Sequence, residues 1–177
     1  THASLTTQAA RVDLLTGAGI GLDVIDIPEL AQRNLAALLP EETAGVAMLS
    51  LQEKSGLITI TRQGSLYLSR SLNLGHESLR SAADPAMYFD HIVLEIQRSL
   101  DYFESHFRES PIRHLVLAPL AEPVPGFMEY LSANLNVTVD SMDLAALLDS
   151  NVELTPVLQA RCLTTIGAAL RQEVKAL

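Results

Sequence analysis

Residues 45–74, GVAMLSLQEKSGLITITRQGSLYLSRSLNL, decide the fold. Gly45 to Leu51 is a near-continuous apolar run, the pattern of a strand buried on both faces. Glu53-Lys54-Ser55-Gly56 supplies a turn. From Leu57 to Arg62 the side chains alternate, with Leu57, Thr59 and Thr61 on one face and Ile58 and Ile60 on the other. Gln63-Gly64-Ser65 is a tight hairpin signal, with glycine supplying positive φ. A third strand runs from Leu66 to Leu72 or Leu74 and stops at Gly75, before a polar loop that reaches Pro85. Residues 45–74 therefore read as a three-stranded meander.

Downstream, Phe89, Ile92, Val93, Ile96, Leu100, Phe103 and Phe107 recur at intervals of mostly three and four, which predicts an amphipathic helix over 85–107. Glu95 with Arg98, and Glu104 with Arg108, are spaced for exposed ion pairs worth a few tenths of a kcal/mol each. Pro111 separates this helix from a strand, Ile112 to Ala118. A short helix over 126–135, a strand over 137–139 and a closing helix over 156–176 follow. Strands joined through helices return parallel by right-handed crossovers. Residues 45–142 should thus form a five-stranded mixed sheet, the meander extended by two parallel strands, with helix 85–107 on one face. This α/β order is that of an RNase H-like half, as in the actin-like ATPase superfamily.

Upstream, residues 4–18 read as a helix ended by Gly17 and Gly19. Leu22 to Ile27 alternates acid and aliphatic and reads as a strand. Pro28 opens another helix, striped by Leu30, Leu35, Leu38 and Leu39 and stopped by Pro40. Pro40-Glu41-Glu42-Thr43 reads as a solvated link and the domain boundary. It divides a bridging helix–strand–helix segment, 1–40, from an RNase H-like subdomain, 41–177. The first residue is Thr1 rather than Met, which reads as a fragment or a processed product.

Composition narrows the function. The chain has 177 residues, 48% hydrophobic content and a mean hydropathy of +0.22, enough for a proper core. No apolar run approaches the roughly 18 residues needed to span a bilayer, and the longest candidate, Leu115 to Ala121, is interrupted by Pro119. Net charge is −9, the two lysines are Lys54 and Lys175, and the ten arginines are scattered, so nucleic acid and anionic membrane surfaces are poor partners. Cys162 is the sole cysteine, which excludes an internal disulfide or a cysteine-built zinc site and fits a packed thiol in a reducing, cytoplasmic setting.

The residues that usually carry chemistry are poorly placed for it. Two-metal nuclease work needs clustered carboxylates on neighbouring strands, and Ala47 to Leu51 contains none. Asp23 and Asp26, three apart on a strand, would point to opposite faces. Asp140 and Asp143 read as caps or turn residues. His2, His76, His91, His106 and His114 show no ligand spacing, and Ser50, Ser69 and Ser71 sit in no nucleophile elbow. Neither glycine-rich phosphate loop is present. The sequence therefore predicts no catalytic residue, no cofactor-binding residue and no metal ligand.

Gly19-Ile20-Gly21-Leu22-Asp23-Val24-Ile25-Asp26-Ile27-Pro28-Glu29-Leu30-Ala31-Gln32-Arg33-Asn34-Leu35 resembles the middle of the proteins that serve the mannose-sensitive haemagglutinin (MSHA) type IV pilus, relatives of PilM. Glu95 to Phe103 looks like a PilM-family helix carrying a similar Glu, Arg-Ser-Leu and aromatic series, and Gly167-Ala168-Ala169-Leu170-Arg171 is similar to the family's C-terminal helix. The resemblance implies the C-terminal half of a PilM-like, actin-like cytoplasmic protein. It implies a scaffold at the inner membrane's cytoplasmic face, bound to a short N-terminal peptide of a bitopic inner-membrane protein resembling PilN. The chain departs from the family at the nucleotide site. Leu49-Ser50-Leu51-Gln52-Glu53-Lys54-Ser55 stands where an Asp-x-Gly-like phosphate loop is usual, and Pro119-Leu120 where a Gly-Gly pair is usual. These departures predict a chain that is not an enzyme and binds no nucleotide. The alternatives are an ATP-binding enzyme or switch of the actin and sugar-kinase superfamily, or the cytoplasmic domain of a type II secretion platform protein. An orphaned edge at Leu22 to Ile27 further predicts a homodimer, or an exchange of residues 1–40 between protomers.

Overall fold

The computed structural model describes residues 2–21, 24–82 and 84–172. The helices are α1 His2–Gly17, α2 Pro28–Ala36, α3 His76–Ser81, α4 Ala86–Phe107, α5 Phe127–Asn134, α6 Leu144–Leu147 and α7 Pro156–Ala169. The strands are β1 Val46–Leu51, β2 Gly56–Arg62, β3 Ser65–Leu72, β4 His114–Leu117 and β5 Thr138–Ser141. They form one sheet in the order β3-β2-β1-β4-β5. The meander is antiparallel, and β4 and β5 extend it in parallel. This is the mixed sheet of an actin-like, RNase H-like half.

β1, β2 and β4 divide their side chains between two layers. Ala47, Leu49, Leu51, Ile58 and Ile60 face α4 and α5, where Phe89, Ile92, Ile96, Phe103, Phe127 and Leu131 complete a large core. Val46, Met48, Val116 and Ala118 face the other way, against Leu35 and Ala36 of α2 and Leu163 of α7. All six residues of β1 are buried, as its apolar run predicts. The hairpin at Gln63-Gly64 has positive φ at both positions, 50° and 71°, the twist that suits two antiparallel strands. A register shift between Ile60 and Thr61 makes Tyr67 the extra residue of a bulge. Its ring then lies 5.4 Å from Phe103 and 5.2 Å from Phe107.

Several expectations change. Val24 to Ile27 is not a strand, and Leu22 and Asp23 lie outside the described residues. Alternation alone makes no strand without a neighbouring ladder; here Asp26 Oδ1 accepts the Ile27 N–H (2.8 Å) as the chain turns into α2. Val24, Ile25 and Ile27 are exposed, but they offer no strand edge for pairing. Pro40–Thr43 is a 3-10 turn rather than a solvated link: Glu42 is buried, and its Oε1 accepts the Gly64 N–H (2.6 Å) of the β2–β3 hairpin. The polar stretch after Gly75 contains α3, anchored by buried Leu74 and Leu79, and α6 had no sequence signal long enough to read. Phe107 closes the α4 stripe but is 37% exposed, and Arg108 leaves the helix at a φ of 54°, out of register with Glu104. Among the described residues no helix is long and apolar enough to cross a membrane.

Candidate functional site

In open α/β sheets the usual ligand position is the crevice outside the C-terminal ends of the parallel strands. Here that crevice lies where β1 gives way to the turn 52–55 and β4 to the loop 118–126. A cleft of about 590 Å³ opens there, lined by Gln52, Glu53, His76, Pro119, Arg161 and Thr164 among others.

Four backbone groups of the turn are bonded within the chain. The Gln52 N–H donates to Ser55 O (2.8 Å). The carbonyls of Gln52 and Glu53 accept the N–H groups of His76 (2.9 Å) and Glu77 (3.0 Å), at the start of α3. Gly75 makes this approach possible, because a Cβ there would lie 2.2 Å from Gln52 O. Donors at a helix start that could attract an anion are thus spent on the hairpin. Leu51 points into the α4-side core, and Ser50 points the other way.

Ser50 belongs to a buried network. Its hydroxyl donates to Gln32 Oε1 (2.6 Å), and Gln32 Nε2 donates to Met48 O (2.9 Å) and Thr59 Oγ1 (2.9 Å). Beside it, Asn34 Nδ2 donates to Gly167 O (2.8 Å), tying α2 to α7. Sequence reading treated α2 as a leucine stripe and missed both side chains. The signal available was Gln32 and Asn34 on the helix face beside Ala31 and Leu35.

The other singled-out residues do not converge. Asp140 lies on β5, with Oδ2 3.9 Å from His114 Nδ1, and is a strand residue rather than a cap. Asp143 does cap α6, accepting from the Ala145 N–H (2.9 Å), and also accepts from Gln159 Nε2 (2.8 Å). His91 is exposed on α4, His106 stacks on Tyr102 with ring centroids 3.8 Å apart, and Cys162 is half-buried on α7. Ser69 and Ser71 are exposed on β3, and His2 begins α1. Among the described residues no three His, Cys, Asp or Glu side chains are grouped to hold a metal. Two groups with displaced acidity are on the α4 side: Arg70 hydrogen bonding holds Glu95 below the usual carboxylate range, and Asp90 beside Tyr130 raises its phenol. Neither lines the cleft.

Next to this cleft, a groove of about 720 Å³ runs between the 118–126 loop, α5, α6 and the start of α7. Pro119, Pro123 and Pro125 form one wall, with Phe127, Met128 and Met142 deeper in. Prolines fix φ and offer no N–H, so this wall presents apolar surface in place of backbone donors.

No family model matches the chain, and no curated protein matches it. Solved structures do. A chain of the PilM-PilN type IV pilus biogenesis complex matches with a TM-score of 0.66 at 20% identity, over 92% of this chain and 56% of that one. The ethanolamine utilization protein EutJ from Carboxydothermus hydrogenoformans matches with a TM-score of 0.55 at 13% identity, over 91% of this chain and 59% of that one. The chain thus spans little more than half the length of these structures, and it shares with them an actin-like fold.

Proposed function

We propose that this chain is part of a non-catalytic, actin-like scaffold subunit of a type IV pilus assembly platform, of the MSHA type and akin to MshI. Its partner is the short N-terminal peptide of a bitopic inner-membrane protein resembling PilN, which holds the scaffold at the membrane's cytoplasmic face. The likeness to the PilM-PilN complex and the sequence runs beginning at Gly19 and Glu95 support the pilus assignment.

One observation supports the non-catalytic part: three backbone N–H groups at the crevice, those of Gln52, His76 and Glu77, are bonded within the chain, to the carbonyls of Ser55, Gln52 and Glu53. Actin-like sites hold phosphate through backbone N–H groups that must stay free for it. Losing two such contacts, at roughly 1–3 kcal/mol each, weakens binding by about tenfold to many thousandfold. Calorimetry with ATP and Mg²⁺ tests this. Heat too weak to fit is expected, and a Kd tighter than about 100 μM would restore the ATP-dependent switch reading.

Exposed Ile20, Val24, Ile25 and Ile27, together with Leu14 of α1, support self-association of this chain. Light scattering at high micromolar concentration should then give a mass above that of one chain.

A further inference from the structure

We infer that the groove between the 118–126 loop, α5, α6 and α7 is a docking site for a basic peptide that inserts large aliphatic side chains. Three features of the groove point there. Its volume, about 720 Å³, is that of a pocket for several buried side chains rather than a packing defect. Its walls are apolar and partly fixed in advance: Pro119, Pro123 and Pro125 lock the backbone, so little ordering is lost on binding. Deeper in, Met128 and Met142 supply adaptable contact surface.

Charge selects the occupant. Among the described residues, the charged side chains lining the groove are Glu129 and Asp143, with no Lys, Arg or His. Both acids also serve the chain itself: Glu129 sits in the first turn of α5, and Asp143 caps α6. Those roles leave a negative potential over an apolar slot, on a chain of net charge −9. An acidic peptide is repelled, and a neutral one gains only the apolar contacts. A peptide with Leu or Ile facing inward and Arg or Lys at the rim satisfies both. Cytoplasmic tails beside a membrane span carry an excess of Lys and Arg. The inference rests on the scaffold reading for the natural source of such a peptide, and not for the chemistry of the groove.

The probe is a fluorescent twelve-residue peptide of Leu, Ala and Arg, compared with a Glu-for-Arg version and a Ser-for-Leu version. Fluorescence anisotropy with the whole chain should show the basic aliphatic peptide binding at least tenfold tighter than either control. Ala145→Arg, at an exposed position on the groove wall, should weaken it tenfold or more. Glu129→Gln should weaken it about threefold and flatten the salt dependence. Equal binding of the acidic peptide, no binding of the basic one, or indifference to Ala145→Arg would overturn the docking site. So would displacement of the peptide by ATP with Mg²⁺, which would make the groove part of a nucleotide pocket. A cognate PilN-like partner that co-purifies equally with wild type and Ala145→Arg would leave the scaffold reading standing while removing this groove from it.

Discussion

The two faces of the sheet are built on different principles. On the α4 side, β1 and β2 present Ala47, Leu49, Leu51, Ile58 and Ile60, and the helix answers with Phe89, Ile92, Ile96 and Phe103. On the α2 side, Ser50, Thr59 and Thr61 stand buried among Val46 and Met48, and Gln32 engages two of the three. The first face is held by area, which is strong but tolerates small shifts of a helix over the sheet. The second is held by fewer, directional contacts that specify where α2 must lie. The Ser50 hydroxyl, donating to Gln32, is part of that alignment.

Mutations that remove area should therefore have their largest effect on the α4 side. Phe103 is fully buried, meets Tyr67 edge-on and packs against Phe107 with the rings tilted by 37°. Phe103→Ala should cost about 3–5 kcal/mol in urea unfolding. A loss under about 1 kcal/mol would mean that the α4 face is not the main source of stability.

On the α2 side the expected signature is orphaned polar groups rather than lost area. Gln32→Leu keeps side-chain volume but strands the Ser50 hydroxyl and Thr59 Oγ1 that it bonded. It should cost roughly 2–3 kcal/mol, because each buried unsatisfied group costs about 1–3. Adding Ser50→Ala and Thr59→Val should recover much of the loss, since apolar replacement of all partners can be nearly neutral. A triple variant as unstable as the single one would show that Gln32 acts by packing alone.

This contrast also explains what could be read from the sequence. The α4 face announced itself because area obeys periodicity: Phe89 to Phe103 repeats with the helix, and Ile58 and Ile60 alternate with the strand. Sheet order followed from the hairpins and the parallel returns. The polar alignment could not be read, because Gln32 to Ser50 is a contact 18 residues apart with no local pattern. The closing of the turn 52–55 was hidden for a related reason. It depends on α3, six residues long and too short for periodicity, docking where Gly75 lacks a side chain. At Val24 to Ile27 the opposite error occurred, with local alternation present and no ladder to join.

A close helix crossing gives a third, smaller effect. Gly167 of α7 passes so near α2 that an added Cβ would lie 2.3 Å from Ala31 O. Overpacking costs about 1–3 kcal/mol, against a gain of up to about 1 kcal/mol from alanine's better helix propensity. Gly167→Ala should therefore lose about 1–2 kcal/mol. At Gly17, where nothing lies within 4 Å, the same change should be neutral or mildly stabilising. Equal behaviour at both glycines would refute the tight α2–α7 crossing.

The smallest expected effect tests whether the α4 face has a directional component of its own. Glu95 accepts from Arg70 of β3 (2.8 Å) and from Arg98 one turn along α4 (2.6 Å). Hydrogen bonding by Arg70 is the main cause that lowers the Glu95 pKa, burial opposes it, and Arg98 adds to the lowering. Because the folded-state pKa lies below the ordinary value near 4.5, folding favours the charged carboxylate. Its contribution is complete above that ordinary value and is lost as pH falls through it toward the folded-state pKa. Arg98 is largely exposed, so screening limits the pair to about 1 kcal/mol or less. Glu95→Gln should thus be slightly less stable than wild type at pH 7, and the gap should close in acid well below 4.5. A gap that persists unchanged at low pH would assign Glu95 to packing, and the α4 face would then be held by area alone.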